Sequence, residues 1–383
     1  MNKTPLTLAP VQLALGGLLA MAAGIGIGRF VYTPILPPMV EALQLSKSHA
    51  GLIASANFVG YLAGALLAAV HLPGSRRTWL LAALGLNAIC LAAMGMTTAL
   101  PLFLLLRLLA GIASAFALIF SSALVLDRLA GASRGGLSAV HFAGVGIGIA
   151  VSAALMAMLS DWRIMWFASA ALALVAGIAV AVMVPAEETA AQTGGRPAAA
   201  RLTPRFVALL VAYGLFGFGY VITATFIVAM VRESPAIAAL EPYIWVIVGL
   251  AAAPSVALWG GLARRLGILA GFALAAIVEA AGVAASVLWL TPASIIAAAI
   301  FLGGTFMGLT ALGLIAAREA GDGDPRRRIA LMTAVFSAGQ IVGPAFAGYL
   351  YDKSGSLAAP SWCAAAGLVV AALLALAAGA QRR

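Results

Sequence analysis

Apolar residues run along this chain in long stretches, and nearly all of the charges fall between them. About 20 apolar residues span a bilayer. On that yardstick the chain divides into twelve predicted spans: residues 11–36, 50–71, 78–98, 101–126, 135–159, 163–184, 206–230, 242–263, 268–290, 293–317, 328–350 and 358–380. The first stretch lacks a small-residue cleavage site followed by soluble sequence, so it reads as a spanning helix rather than a removable signal. One long polar connection, PAEETAAQTGGRPAAARLTP (185–204), has the Pro, Gly, Ala and charge content of a flexible linker. It separates six spans from six. The predicted organisation is a six-helix bundle over 1–184, a linker over 185–204 and a second six-helix bundle over 205–383. The expected fold class is therefore an all-α membrane protein.

Composition supports lipid as the solvent. The chain is 64% hydrophobic and 9% charged, against about 45–50% and about 25% for an ordinary soluble domain. Its net charge of +10 would suggest nucleic acid in a soluble protein, but the positions of the charges exclude that. With a cytoplasmic N-terminus, the inner loops and tails hold sixteen Lys and Arg and the outer loops four. The excess places both termini and the linker in the cytoplasm, so a bacterial-type inner membrane is the expected location. The two remaining cationic residues, Arg29 and Arg107, lie inside apolar spans. Cys90 and Cys363 also lie within spans and read as packing residues.

The two halves echo each other. GIGRFVYT (26–33) aligns with GFGYVITA (217–224) at an offset of 191, and AVHFAGVGIG (139–148) with AVFSAGQIVG (334–343) at 195. RLLAG (107–111) has a weaker counterpart in GTFMG (304–308). Parallel six-plus-six repeats are one architecture expected of transporters that rock two halves about a central site.

With these features the chain resembles the major facilitator superfamily. Arg107-x-x-x-Gly111 is similar to that superfamily's fourth-helix motif. Residues Gly261 to Gly267 are similar to its Gly- and Arg-rich loop motif, reduced to Gly74-Ser75-Arg76-Arg77 in the first half. The acidic residue usual in that motif is missing from both copies. More narrowly, GIGRFVYTPILPPM (26–39), SANFVGYLAG (55–64) and YGLFGFGYVITATF (213–226) resemble the YbfB/YjiJ-type branch, with Thr223 standing where that branch has proline. The resemblance implies the twelve-helix fold and a transport role, and it names no substrate.

Arg29 and Arg107 are the first candidates for chemistry. Arginine at a helix centre costs about 2.5–3.5 kcal/mol on insertion scales, so each needs a reason to be there. At 1.5 Å per residue both lie about 9–10 Å below the outer surface. The resembled fold implies that the first and fourth helices line one central cavity. Two guanidiniums there would clamp a carboxylate or another planar anion. The alternatives are snorkelling for Arg29, and bracing of the bundle through carbonyls or a part in proton coupling for Arg107. Tyr32 and Thr33 add polar groups beside Arg29. Pro34, Pro37 and Pro38 are expected to weaken the helix and free carbonyls for protein or water.

Tyr220 stands where Arg29 has its counterpart in the second half, and Gly304 stands opposite Arg107. Tyr213 and Tyr220 are seven apart and share a helix face with Phe216 between them, a surface suited to the apolar body of an organic anion. Asn57 and Tyr61, at i and i+4, share a face of the second span. Substrate contact and interhelical bonding explain them equally well. For proton coupling the candidates are His141, able to change charge near neutral pH, together with Arg107 and Glu279. Glu279 sits in the ninth span, which the resembled fold places on the outside of the bundle.

None of helices one, four, seven and ten, which the resemblance implies line the cavity, carries a deep acidic residue, which points to an anion rather than a cation. The expected function is a secondary transporter moving a small, anionic organic solute by alternating access. An efflux pump for neutral or amphipathic compounds is the alternative within that class. A polytopic membrane enzyme is the alternative outside it, disfavoured by the lack of clustered nucleophile, acid or metal groups and of phosphate-loop or nucleophile-elbow motifs. No cofactor and no metal are expected. The expected partners are the small-molecule solute, the bilayer and protons as coupling ion, with the chain acting as a monomer.

Overall fold

The computed structural model describes residues 10–70, 72–131, 137–185, 202–320 and 325–380. These form helices and short connections, with no strand among the described residues. The first span comprises α1 (Pro10–Met21), a π-helical turn (Ala22–Ile27) and α2 (Tyr32–Leu43). The next five are α3 (Lys47–Ala68), α4 (Arg76–Met94), α5 (Leu100–Gly131), α6 (Ser138–Met156) and α7 (Trp162–Met183). The second half begins with α8 (Pro204–Glu233). Its second span is the pair α9 (Glu241–Ala252) and α10 (Ser255–Leu266), followed by α11 (Ile268–Leu288), α12 (Pro292–Glu319), α13 (Pro325–Ser354) and α14 (Ala358–Ala380). Eleven helices are long and apolar enough to cross a membrane among the described residues, and the eighth span makes twelve if its pair, bent by 44°, is counted as one. Most of the expected linker, residues 186–201, lies outside the described residues.

The first span is not weakened where the prolines suggested. Pro37 and Pro38 sit inside α2, and the irregular stretch comes earlier, from Ala22 to Val31. Gly24, Gly26 and Gly28 lie in or beside that stretch, and glycine is a poor helix former. Neighbouring spans satisfy the backbone groups it releases. Asn87 Nδ2 on α4 donates to the Ala23 and Gly24 carbonyls, both at 3.3 Å. Pro34 has no N–H to offer the Phe30 carbonyl, which accepts instead from the Thr33 N–H at 3.2 Å and from Trp245 Nε1 on α9 at 3.1 Å. A helix can break inside a membrane when protein supplies the missing partners.

The halves are pseudo-symmetric. The turns that follow α3 and α10 place Gly74 at φ 92° and Gly267 at φ 89°, a left-handed backbone that favours glycine at both equivalent bends. Across the interface α3 packs on α13 and α6 on α9, while α2 lies beside α8. One end of this interface is laced together; it is the end that the Lys and Arg count assigns to the outside, and is called the outer end below. There Lys47 pairs with Glu233 and Arg232 with Glu41. The Asp352 carboxylate accepts from the Lys47 and Ser48 backbone N–H groups at 3.1 and 3.0 Å. Deeper in, Thr33 Oγ1 donates to the Ala224 carbonyl at 2.8 Å and Ser55 Oγ to that of Ile341 at 2.7 Å. Between described residues, every hydrogen bond and ion pair that crosses from one half to the other lies from the level of the Phe30 carbonyl, one turn below Thr33, outward.

Candidate functional site

A cavity lies between the halves, lined by residues of the first, second, fourth and fifth spans on one side and of the seventh, eighth, tenth and eleventh on the other. Its volume is about 110 Å³. Arg29, Tyr61, Tyr220, Phe306, Phe336 and Thr310 line it, with Met21 and Met307 among the apolar remainder. Among the described residues Arg29 is the one charged residue in the lining.

Arg29 is 6% exposed. Its guanidinium carbon lies 4.4 Å from the centre of the Phe58 ring, 4.6 Å from that of Tyr61 and 5.4 Å from that of Phe30. Cation–π contacts contribute up to about 2 kcal/mol each when desolvated. Two or three of them offset much of the cost of placing the charge there, without using its N–H groups. Arg29 Nε and Nη2 are buried with no hydrogen-bond partner, and no acidic side chain pairs with Arg29 among the described residues. A caged cation with free donors at a cavity wall is equipped to take an anion.

Arg107 has a different employment. Its Nη1 donates to the Gly28 carbonyl at 3.3 Å and its Nη2 to the Arg29 carbonyl at 3.1 Å, with the guanidinium 5.0 Å from the Tyr32 ring centre. It braces the irregular stretch of the first span and does not line the cavity. The clamp of two arginines in one cavity is thus not what the side chains form. The cause is rotational: equal depth says nothing about which face of α5 meets the first span, and here that face turns Arg107 onto freed carbonyls.

Tyr32, Thr33 and Asn57 are likewise occupied by neighbouring backbone. Tyr32 Oη donates to the Ala50 carbonyl at 2.9 Å, and Asn57 Nδ2 to the Arg107 carbonyl at 3.0 Å. The second half repeats the latter motif with other chemistry: Trp259 Nε1 donates to the Gly304 carbonyl at 2.7 Å, Gly304 being the counterpart of Arg107. Asn57 and Tyr61 share a face as expected, yet the first holds two helices together and the second reaches the cavity.

In the second half Tyr220 lines the cavity and Gln340 Nε2 donates to its hydroxyl. Tyr213 stacks on Phe336 at 4.9 Å and donates to the Thr310 carbonyl at 3.1 Å, behind the wall rather than in it. His141 is fully buried, with Nε2 3.2 Å from Ser122 Oγ and Nδ1 without a partner. Glu279 is fully buried on α11, beside Thr305 of α12. Neither lines the cavity.

Four residues the sequence reading passed over shape this site. Phe58 completes the cage, Phe306 and Phe336 form the wall, and Trp245 fixes the Phe30 carbonyl beside Arg29. Phenylalanine in an apolar span carries the same signal whether it packs against lipid, core or cavity. Pairing of the repeats gives a partial signal for Phe306, two residues past the counterpart of Arg107.

A model of the family described as uncharacterised MFS-type transporter YbfB matches residues 21–376. No curated protein matches the chain. Among solved structures, a mutant form of the nucleoside transporter NupG superposes with a TM-score of 0.76 at 15% identity, covering 97% of this chain and 100% of that one. A bacterial homologue of the human lysosomal transporter Spinster, in an inward-facing and unoccupied conformation, superposes with a TM-score of 0.69 at 15% identity, covering 99% of this chain and 96% of that one. At such identities these structures show a shared fold. The family match extends over nearly the whole chain, and this protein belongs to the YbfB-type family of major facilitator transporters.

Proposed function

We propose that this transporter moves a small organic anion across a bacterial-type inner membrane by alternating access, with Arg29 holding the anionic end. The observation that carries this is the Arg29 guanidinium, 6% exposed, caged by Phe58 and Tyr61, with two donors unpartnered at the wall of the central cavity. A buried cation without a counter-charge is costly, and an anion that enters from water supplies that counter-charge. Tyr61 and Tyr220 line the same cavity and would contact the body of the solute. Arg107, Tyr32 and Thr33 would act one step away, by fixing the stretch of the first span that carries Arg29, and Asn57 by holding the helix that carries Arg107.

The contacts between the halves support a state closed outside, with the solute reaching the cavity from the cytoplasm. Residues 1–184 and 205–383 would be the rocking units, joined by the cytoplasmic linker 185–204. For proton coupling the candidates are His141 and Glu279, both fully buried. The cavity wall is mainly apolar, which favours neutral amphiphiles as a second reading. Uptake of a panel of radiolabelled small carboxylates and neutral analogues into proteoliposomes separates the two. Accumulation of carboxylates, competed by other carboxylates, is expected; transport of the neutral analogues alone would establish the second reading.

A further inference from the structure

We propose that the solute is a single-ring aromatic monocarboxylate, with its carboxylate on Arg29 and its ring against the wall formed by Tyr220, Phe306 and Phe336. The inference rests on the anion assignment above and adds to it the number of charges, the shape and the size of the solute.

One charge follows from the lining. Among the described residues Arg29 is the one charged residue in the cavity walls, with Nε and Nη2 free. It matches one carboxylate, whereas the rest of the lining offers a second only the uncharged hydroxyls of Tyr61, Tyr220 and Thr310 among apolar side chains, with no cation to compensate it.

The shape follows from the opposite wall. Tyr220 and Phe306 lie with centroids 5.7 Å apart and planes 6° apart, and Tyr220 and Phe336 with centroids 5.9 Å apart and planes 3° apart. These rings come from three helices, α8, α12 and α13, and the Tyr220 hydroxyl is held by Gln340. Three nearly parallel rings present one orientation. Aromatic pairs prefer offset stacks or edge-on contacts, so a flat solute ring gains from this wall what a puckered or linear body cannot. The flanking thioethers of Met21 and Met307 also favour an aromatic ring.

The size follows from the volume. About 110 Å³ is on the scale of the roughly 150 Å³ apolar cavities that hold a benzene ring. It is too small for two linked rings.

The test is calorimetric titration of the purified full-length protein with four probes: benzoate, cyclohexanecarboxylate, benzamide and biphenyl-4-carboxylate. Benzoate is expected to bind, with cyclohexanecarboxylate about two- to tenfold weaker. Benzamide, which lacks the charge, should be at least about tenfold weaker, and biphenyl-4-carboxylate should not bind. Phe306→Leu should erase the preference for benzoate while keeping affinity for cyclohexanecarboxylate, and Phe336→Leu serves the same end if the first variant does not fold. Equal binding of benzoate and cyclohexanecarboxylate would overturn the aromatic assignment and leave the anion reading standing. Equal binding of benzoate and benzamide would overturn the anion reading itself. Binding of biphenyl-4-carboxylate, or of none of the probes, would also sink the inference.

Discussion

Thr33 donates through its hydroxyl to the carbonyl of Ala224, and the two residues occupy equivalent positions in the two halves, 191 apart in sequence. Glu41 and Arg232, which form an ion pair at the outer end, are also 191 apart. A residue that touches its own counterpart lies beside the axis relating two copies, as at the centre of a twofold dimer interface. Two such contacts place the pseudo-twofold axis between α2 and the outer part of α8. If the outer ends part during transport, these contacts have to separate.

Joining the pair covalently should therefore stop the cycle. In a background with the exposed Cys363 replaced by serine, Thr33→Cys with Ala224→Cys is expected to cross-link under mild oxidation and lose transport. Reduction should restore it. Full transport in the cross-linked protein would mean that the halves do not separate there.

The outer ion pairs are a second hinge on the same equilibrium. In Lys47–Glu233 the lysine is buried and the glutamate exposed, whereas both side chains of Arg232–Glu41 are exposed, and an exposed pair contributes about 0–1 kcal/mol. Glu41→Gln should shift the population toward an outer-open state by no more than about fivefold. Labelling of Thr33→Cys by an impermeant maleimide from outside should rise accordingly, and it should rise in the parent at high salt as well. Unchanged labelling in both cases would remove the pairs from the gate.

Arg107 should behave as a structural residue. Each of its two bonds to freed carbonyls is charge-assisted and contributes about 1.5–3 kcal/mol. Arg107→Ala is expected to lower the melting temperature markedly, with Arg107→Lys recovering part of the loss because lysine lacks the fork. A variant as stable as the parent but with solute affinity reduced to the level of an Arg29 substitution would show that Arg107 touches the solute.

The contrast between Arg29 and Arg107 marks what the sequence carries. Both were visible as cations in apolar runs, at similar depth, on helices adjacent in the fold. Their roles diverge because Phe58 and Tyr61 face one and the Gly28 and Arg29 carbonyls face the other, and one residue of helix rotation turns a side chain by about 100°. The spans were legible because lipid demands about 20 apolar residues, and most of their ends shift by only a few positions from the expected limits. The first span runs seven residues further, to Leu43, and the fourth five further, to Gly131. The bend between α9 and α10 and the π-turn of the first span were not, because they depend on which backbone groups find partners on other helices. Asn57 shows the same limit: sequence left substrate contact and helix bonding open, and the structure shows a bond to the Arg107 carbonyl.

Proton coupling has a direct test in His141, whose Nε2 meets Ser122 and whose Nδ1 has no partner. His141→Ala is expected to abolish the pH dependence of uptake while leaving solute exchange measurable. An unchanged pH profile would exclude His141 and leave Glu279 as the buried titratable group to examine next.

The central claim is that Arg29 holds the anionic end of the solute, and its most direct measurement is the calorimetric affinity of the purified Arg29→Gln variant for the tightest-binding carboxylate of the parent protein. Arg29→Gln removes the charge while keeping a polar side chain, so insertion and folding should persist. Loss of a charge-assisted two-pronged contact contributing about 1.5–3 kcal/mol predicts binding about ten- to a hundredfold weaker, with Arg29→Lys in between. Parent-like affinity in a folded Arg29→Gln variant would contradict the account and leave Arg29 as a caged structural cation.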